Sequence, residues 1–251
     1  MILLNCALFV FGCLLSSTVA QKKFKSKHLP NYISPCRLSS DLSDCIVKHA
    51  VASIPHISKG DPEFGSPSLN PWVLEKLELN PSSQLKILFT NCEIYGLNRA
   101  ILKDAKIDFD KKRVDIVVYV EQIKLESHYN MDGQILVLPI KGDGKTNLEF
   151  GDCTFNYSVD YDLITRKDGK QYAANIRPDI SFKINKAHFN FENLFNGNKQ
   201  LGDNINKVLN DNPQDAINEL GPAFSNVINL AATTIIRAYL LVVPFDELFV
   251  H

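Results

Sequence analysis

The chain has no charge of either sign to spare: 27 Lys and Arg stand against 28 Asp and Glu, a formal net charge of −1. Nothing in that balance draws it to a phosphate backbone or an anionic membrane, so nucleic acid is not an expected partner. Catalytic motifs are missing as well. There is no G-x-S-x-G, H-E-x-x-H, C-x-x-C or G-x-G-x-x-G, and Gly142-Asp143-Gly144-Lys145-Thr146 lacks the second half of a phosphate cradle and reads as a hairpin turn. No two of His28, His49, His56, His128, His188 and His251 share a metal-ligand spacing, so neither metal nor cofactor is expected. Asp160 and Asp162 share the polar phase of a strand and read as solvated acids, because a carboxylate needs burial to reach a catalytic pKa. These absences argue against an enzyme.

Also absent is an apolar run of the ~20 residues that a membrane-spanning helix needs, so no integral membrane association is expected. Residues 1–20 carry no charged side chain, and a shorter apolar stretch there gives way to Ser16, Ser17, Thr18 and Ala20, the pattern of a cleaved secretory signal. Cleavage near Gln21 would leave 251 − 20 = 231 residues, 21–251, read as a single domain because neither a repeat nor a low-complexity linker divides them. The lysines at Lys22, Lys23, Lys25 and Lys27 then form a solvated N-terminal arm. Cys36, Cys45, Cys92 and Cys153 would remain, an even set in an oxidising compartment, with three formal pairings. Nearness in sequence favours Cys36 with Cys45, a short loop worth ~3 kcal/mol by chain entropy. That leaves Cys92 with Cys153, both in strand-like segments that could meet across a sheet.

What is present is periodicity. Residues 41–54 read as a short helix with Ser39 or Ser40 as N-cap and Pro55 as its end. Residues 59–83 form an irregular connection. Between 84 and 191 the apolar residues alternate, as in Leu85, Ile87, Phe89, in Val114, Ile116, Val118, in Phe155, Tyr157, Val159 and in Ile180, Phe182, Ile184. That is the mark of long antiparallel strands with one dry face and one wet face. Asn156-Tyr157-Ser158 is the one glycosylation sequon, with Asn156 in the wet phase. Over 214–242 the apolar residues step by three or four, predicting a helix of about 29 residues and roughly 44 Å, kinked or restarted at Gly221-Pro222. The expected fold class is α+β: a strongly curved antiparallel sheet wrapped along a long C-terminal helix, with a short N-terminal helix. The aromatic stripe Phe155, Tyr157, Tyr161 on one sheet face suits either a cavity wall or an ordinary core.

The mature chain resembles the insect takeout and haemolymph juvenile-hormone-binding protein family. The likeness rests on the close pair Cys36 and Cys45 ahead of a helix, and on Tyr129-Asn130-Met131-Asp132-Gly133 leading into Leu138-Pro139-Ile140-Lys141-Gly142-Asp143-Gly144. Phe191-Glu192-Asn193-Leu194-Phe195-Asn196-Gly197, Leu201-Gly202-Asp203 and the tail Pro244-Phe245-Asp246-Glu247-Leu248-Phe249 complete it. The positions of Cys92 and Cys153 depart from the second disulfide of the family's hormone carriers. The resemblance implies a tubular lipid-binding fold with an internal tunnel. It also implies a secreted carrier, in haemolymph, for a juvenile-hormone-like terpenoid, a fatty acid or a carotenoid. By their phase in strand or helix, the expected lining residues are Phe89, Val118, Phe155, Tyr157, Phe182, Val227, Ile228 and Ile235. Tyr157 and Tyr239 are the groups expected to meet a ligand oxygen. The rival reading is an extracellular signalling or interaction protein whose tunnel is filled by side chains; a hydrolase acting on the ligand ranks below both.

Overall fold

A computed structural model describes residues 25–250, and the expected leader at 1–20 and the cleavage point near Gln21 lie outside the described residues. The strands are β1 (Cys36–Arg37), β2 (Trp72–Ser82), β3 (Leu85–Tyr95), β4 (Ile101–Asp108), β5 (Arg113–Ile135), β6 (Leu138–Thr165), β7 (Gln171–Phe191) and β8 (Phe249–Val250). The helices are α1 (Leu42–Ile57), α2 (Lys199–Asp211), α3 (Pro213–Tyr239) and α4 (Phe245–Leu248). Six strands make one antiparallel sheet in the order β2-β3-β5-β6-β7, with β4 also paired to β5.

Strand β6 has 28 residues, and a straight strand of that length would run about 90 Å at ~3.3 Å per residue, so the sheet must bend. The first half of β5 pairs with β4 and its second half with β3. Gly96 (φ +96°) turns the chain between those two partners, where an added Cβ would fall 2.1 Å from the Gln122 carbonyl oxygen. The curl brings both outer strands to one element: α3 packs against β7 and also against β2. The helix thereby closes the gutter that the sheet forms, as the sequence predicts.

Several local details differ from expectation. Helix α3 runs unbroken through Gly221 and Pro222 rather than restarting there, and it ends at Tyr239, whose carbonyl accepts from both Val242 and Val243 N–H. Pro55 lies within the last turn of α1 and does not end it, because Ser58 N–H still closes onto the Ile54 carbonyl. Asp41 precedes α1, and Ser39 donates to the Asp41 carboxylate rather than capping the helix. Helix α2 has no counterpart among the predicted elements, β2 occupies part of the stretch read as an irregular connection, and Gly142-Asp143-Gly144-Lys145-Thr146 lies inside β6 rather than at a hairpin turn.

The two ends of the gutter are filled differently. At one end Tyr129, Phe189, Phe191, Leu194, Ile205 and Leu209 make a dry core, with Tyr129 and Leu209 at 0% and 1% exposure. There α2 also satisfies the edge of β7. Asn206 accepts from Phe191 N–H (3.0 Å) and donates to its carbonyl (2.9 Å), and Asn210 treats Phe189 in the same way (2.8 and 2.8 Å). Two asparagines one helical turn apart thus stand in for a neighbouring strand, since ~6 Å of helix matches ~6.6 Å of strand. At the other end, α1 and the tail cover a space that side chains leave open.

Candidate functional site

The open space is a cavity of about 610 Å³, inside the ~300–1,000 Å³ range of small-molecule sites. Val114, Ile116 and Val118 of β5 form its floor with Phe155, Tyr157 and Val159 of β6 and Ile180 and Ile184 of β7. Its other wall is the inward stripe of α3, from Phe224 through Val227, Ile228 and Ile235 to Tyr239. Ile46, Ala50 and Ile54 of α1 close it, together with Phe245, Leu248 and Phe249 of the tail. Period two in the strands and period 3.6 in the helix aim these residues at one another.

The cap is tied down covalently and by hydrogen bonds. Cys36 and Cys45 form a disulfide, joining β1 to α1. Strand β8 pairs in parallel with β1, and Glu247 accepts from Leu29 N–H (2.9 Å) and from Lys170 (3.0 Å). Tyr32 donates to the Asp61 carboxylate, with its oxygen 3.2 Å from that of Tyr239, while Phe64 stacks on the Tyr239 ring at 5.0 Å.

Of the predicted lining residues, Val118, Phe155, Tyr157, Val227, Ile228, Ile235 and Tyr239 all reach this cavity. Phe89 does not. It faces inward, but it lies opposite Leu77 and Tyr129 in the packed end of the gutter. Phe182 lies beside Phe155 in the sheet, yet its ring packs near Gly221 and edge-on to Phe224 and is not among the lining residues. Tyr239 lines the cavity, but its hydroxyl is engaged by Tyr32. The Tyr157 hydroxyl is buried with no partner among the described residues, and burial pushes its pKa up to about 12, so it remains a neutral donor. Tyr161 is likewise buried without a hydroxyl partner. Ile116, Ile180 and Ile184 share the phases of the predicted residues, so the same alternation would have found them. The α1 and tail residues carried no such signal.

The second expected disulfide is corrected. Cys92 and Cys153 are both free and fully buried. Cys153 pairs with Val120 of β5, whereas Cys92 sits in a bulge of β3 opposite the stretch between Glu126 and His128. Six residues of β5 separate the two levels, about 20 Å at ~3.3 Å per residue, against the roughly 4.4–6.8 Å between Cα atoms that a disulfide spans. Asn156 is exposed on the outer face, with its amide near Ser181 (3.4 Å).

Among solved structures, the chain is similar to Takeout 1 of Epiphyas postvittana, with 27% identity, a TM-score of 0.77 and coverage of 86% of this chain and 99% of that one. The circadian clock-controlled protein daywake of Drosophila yakuba is 23% identical over 245 residues, 94% of each chain. Its Drosophila melanogaster counterpart is 23% identical over 257 residues, 98% of each. A family model matches residues 8–250. The curled sheet, the closing helix and the apolar cavity have their explanation there: the chain belongs to the haemolymph juvenile hormone binding protein family, a family of binding proteins.

Proposed function

We propose that the protein is a secreted carrier that holds one elongated apolar molecule in the cavity between α3 and the sheet: a juvenile-hormone-like terpenoid, a fatty acyl chain or a carotenoid. The observation that carries this reading is the cavity itself, about 610 Å³ and walled almost wholly by aliphatic and aromatic side chains. Family membership supports it. The rival reading, a signalling protein with a filled tunnel, calls for a packed interior at this level of the sheet. Secretion into haemolymph fits the Cys36–Cys45 disulfide, which persists in oxidising compartments. Among the described residues no helix is long and apolar enough to cross a membrane. Residues 21–251 act as one domain after removal of the leader, with Asn156 open to a glycan.

The mechanism is partition without turnover. Burying a ten-carbon chain contributes a gross ~8 kcal/mol at ~0.8 per methylene, against several kcal/mol for lost freedom of the partners. Micromolar binding follows from apolar contact alone. The test is extraction of natively purified protein and mass spectrometry of what it releases, followed by rebinding of that molecule to stripped protein. A stripped, folded protein that takes up no terpenoid, fatty acid or carotenoid would sink the proposal.

A further inference from the structure

The near-zero net charge hides an uneven distribution along the gutter. At the packed end, where Glu219 accepts from Leu136 N–H at the tip of the β5–β6 hairpin, residues 192–219 hold Glu192, Asp203, Asp211, Asp215 and Glu219 against Lys199 and Lys207. Both lysines pair within α2, with Asp203 and Asp211. The hollow end has the opposite bias. Its β4–β5 turn (108–113) and β6–β7 turn (166–170) carry Lys111, Lys112, Arg113, Arg166, Lys167 and Lys170 against Asp108, Asp110 and Asp168. The N-terminal arm joins them, since the Ser26 and Tyr172 hydroxyls are 2.6 Å apart beside the second turn, which brings in Lys25 and Lys27. Arg37 stands next to the tail, beside Val250. Lys25, Arg37, Lys112 and Lys167 are exposed and enter no ion pair among the described residues. Of the acids at this end, Asp108 pairs with Lys111, Asp168 accepts from the Tyr172 hydroxyl and Glu247 from Lys170, which leaves Asp44, Asp110 and Asp246.

An aromatic ring sits among these charges. Phe109, 37% exposed, packs edge-on to Phe245 (6.2 Å) and Phe249 (5.5 Å), and those two line the cavity. One layer of rings therefore separates cavity from solvent at the turn that continues as Asp110-Lys111-Lys112-Arg113. Leu38, beside the tail, and Ile164, before the second turn, are exposed as well. An acidic protein surface would answer the cations alone; exposed rings between cations also ask for an apolar layer, and a bilayer interface offers both. We infer that the hollow end docks on a phospholipid membrane carrying anionic headgroups, with Phe109 in the headgroup layer and Arg37, Lys112 and Lys167 on its phosphates. Docked this way, the cavity lies one ring layer from the lipid, so an apolar molecule passes between the two without crossing bulk water. That passage rests on the carrier reading; the docking does not.

The test is flotation of the protein with vesicles of phosphatidylcholine alone and of phosphatidylcholine mixed with phosphatidylserine. Each basic side chain near an anionic surface contributes about fivefold in affinity. The mixed vesicles should therefore bind at least tenfold more tightly, and the gain should shrink as salt rises from about 0.01 M to about 0.15 M. Lys112→Glu with Lys167→Glu should abolish the gain. Lys199→Glu with Lys207→Glu makes the same change in net charge at the packed end and should leave it in place. Phe109→Trp should add an emission that brominated lipid quenches in the mixed vesicles, above the baseline of the one native tryptophan, Trp72, which is buried at 4% exposure. No flotation with the mixed vesicles at low salt, an equal loss in the packed-end pair, or an unquenched emission from Phe109→Trp overturns the inference. Retention on immobilised heparin or an acidic protein without vesicle binding overturns it too, by identifying a different partner. None of these outcomes touches uptake of an apolar probe by the free protein, which tests the carrier reading separately.

Discussion

Leu209 and Ile228 are aliphatic side chains of equal size on helices that face the same sheet, yet they sit in different surroundings. Leu209 is 1% exposed within the packed end, while Ile228 borders the cavity. An aspartate at Leu209 would be an unpaired charge in a dry core, and Leu209→Asp should cost more than about 4 kcal/mol and unfold the protein. At Ile228 the new carboxylate can draw water into a space that already exists. Ile228→Asp should therefore keep a cooperative urea transition while losing at least tenfold in affinity for a fluorescent apolar probe. Unchanged affinity would remove α3 from the binding wall. The free cysteines give a second residue-scale test. Burial raises the Cys92 thiol to about 11 and the Cys153 thiol to about 12, which leaves roughly a thousandth or less as thiolate at pH 8. Alkylation of native protein should be slow at both positions and complete after unfolding without reductant. A peptide linking Cys92 to Cys153 in the unreduced digest would contradict the strand register.

At the scale of elements, the strands between 84 and 191 were the most legible part, because each has one dry and one wet face and period two reports that directly; β2 was missed among the prolines and serines of 59–83, and the glycines at Gly142 and Gly144 read as a turn although β6 runs through them. Helix α3 was legible for the same reason at period 3.6, and the cavity floor followed from phase. Phase fixes a side of the sheet and not a level along it. That is why Phe89 was expected in the cavity but lies in the packed end, and why the two buried cysteines seemed able to pair. Pro55 misled in the opposite direction: a proline removes one donor, which the final turn of α1 tolerates. Helix α2 stayed hidden because its asparagines, Asn204, Asn206 and Asn210, and its Gly202 and Asp203 resemble a loop composition. Two of those asparagines are there for β7. Asn206→Ala with Asn210→Ala removes four side-chain bonds to the strand edge, each worth about 0.5–1.5 kcal/mol. The double variant should lower the urea midpoint and speed amide exchange at Phe189 and Phe191 by tenfold or more. Exchange unchanged at those two amides would show that the clamp is not what protects the edge.

Across the whole molecule, one continuous sheet supports a filled end and a hollow end, and the boundary between them sets how much ligand fits. The inward stripe of α3 borders the hollow from Phe224 to Tyr239, 15 steps of ~1.5 Å or roughly 22 Å. Phe150 and Phe224, edge to face at 5.2 Å, stand at the limit where the dry core begins. A chain threaded along this wall gains up to ~0.8 kcal/mol for every methylene that leaves water, so affinity in a homologous series of straight-chain alcohols should rise by about fourfold per carbon. The rise must stop where the ligand meets the packed end, because pushing further means displacing rings that are already in contact. Titration calorimetry across the series should therefore show one ligand per chain and a break in slope, after which added carbons gain nothing or weaken binding. An apolar patch on the outer surface has no such wall and would show neither the break nor a fixed stoichiometry. A steady rise through the longest soluble alcohols would place binding outside the cavity. A break that moves to longer chains in Phe150→Ala or Phe224→Ala would identify these rings as the stop, since either change lengthens the hollow at the expense of the core.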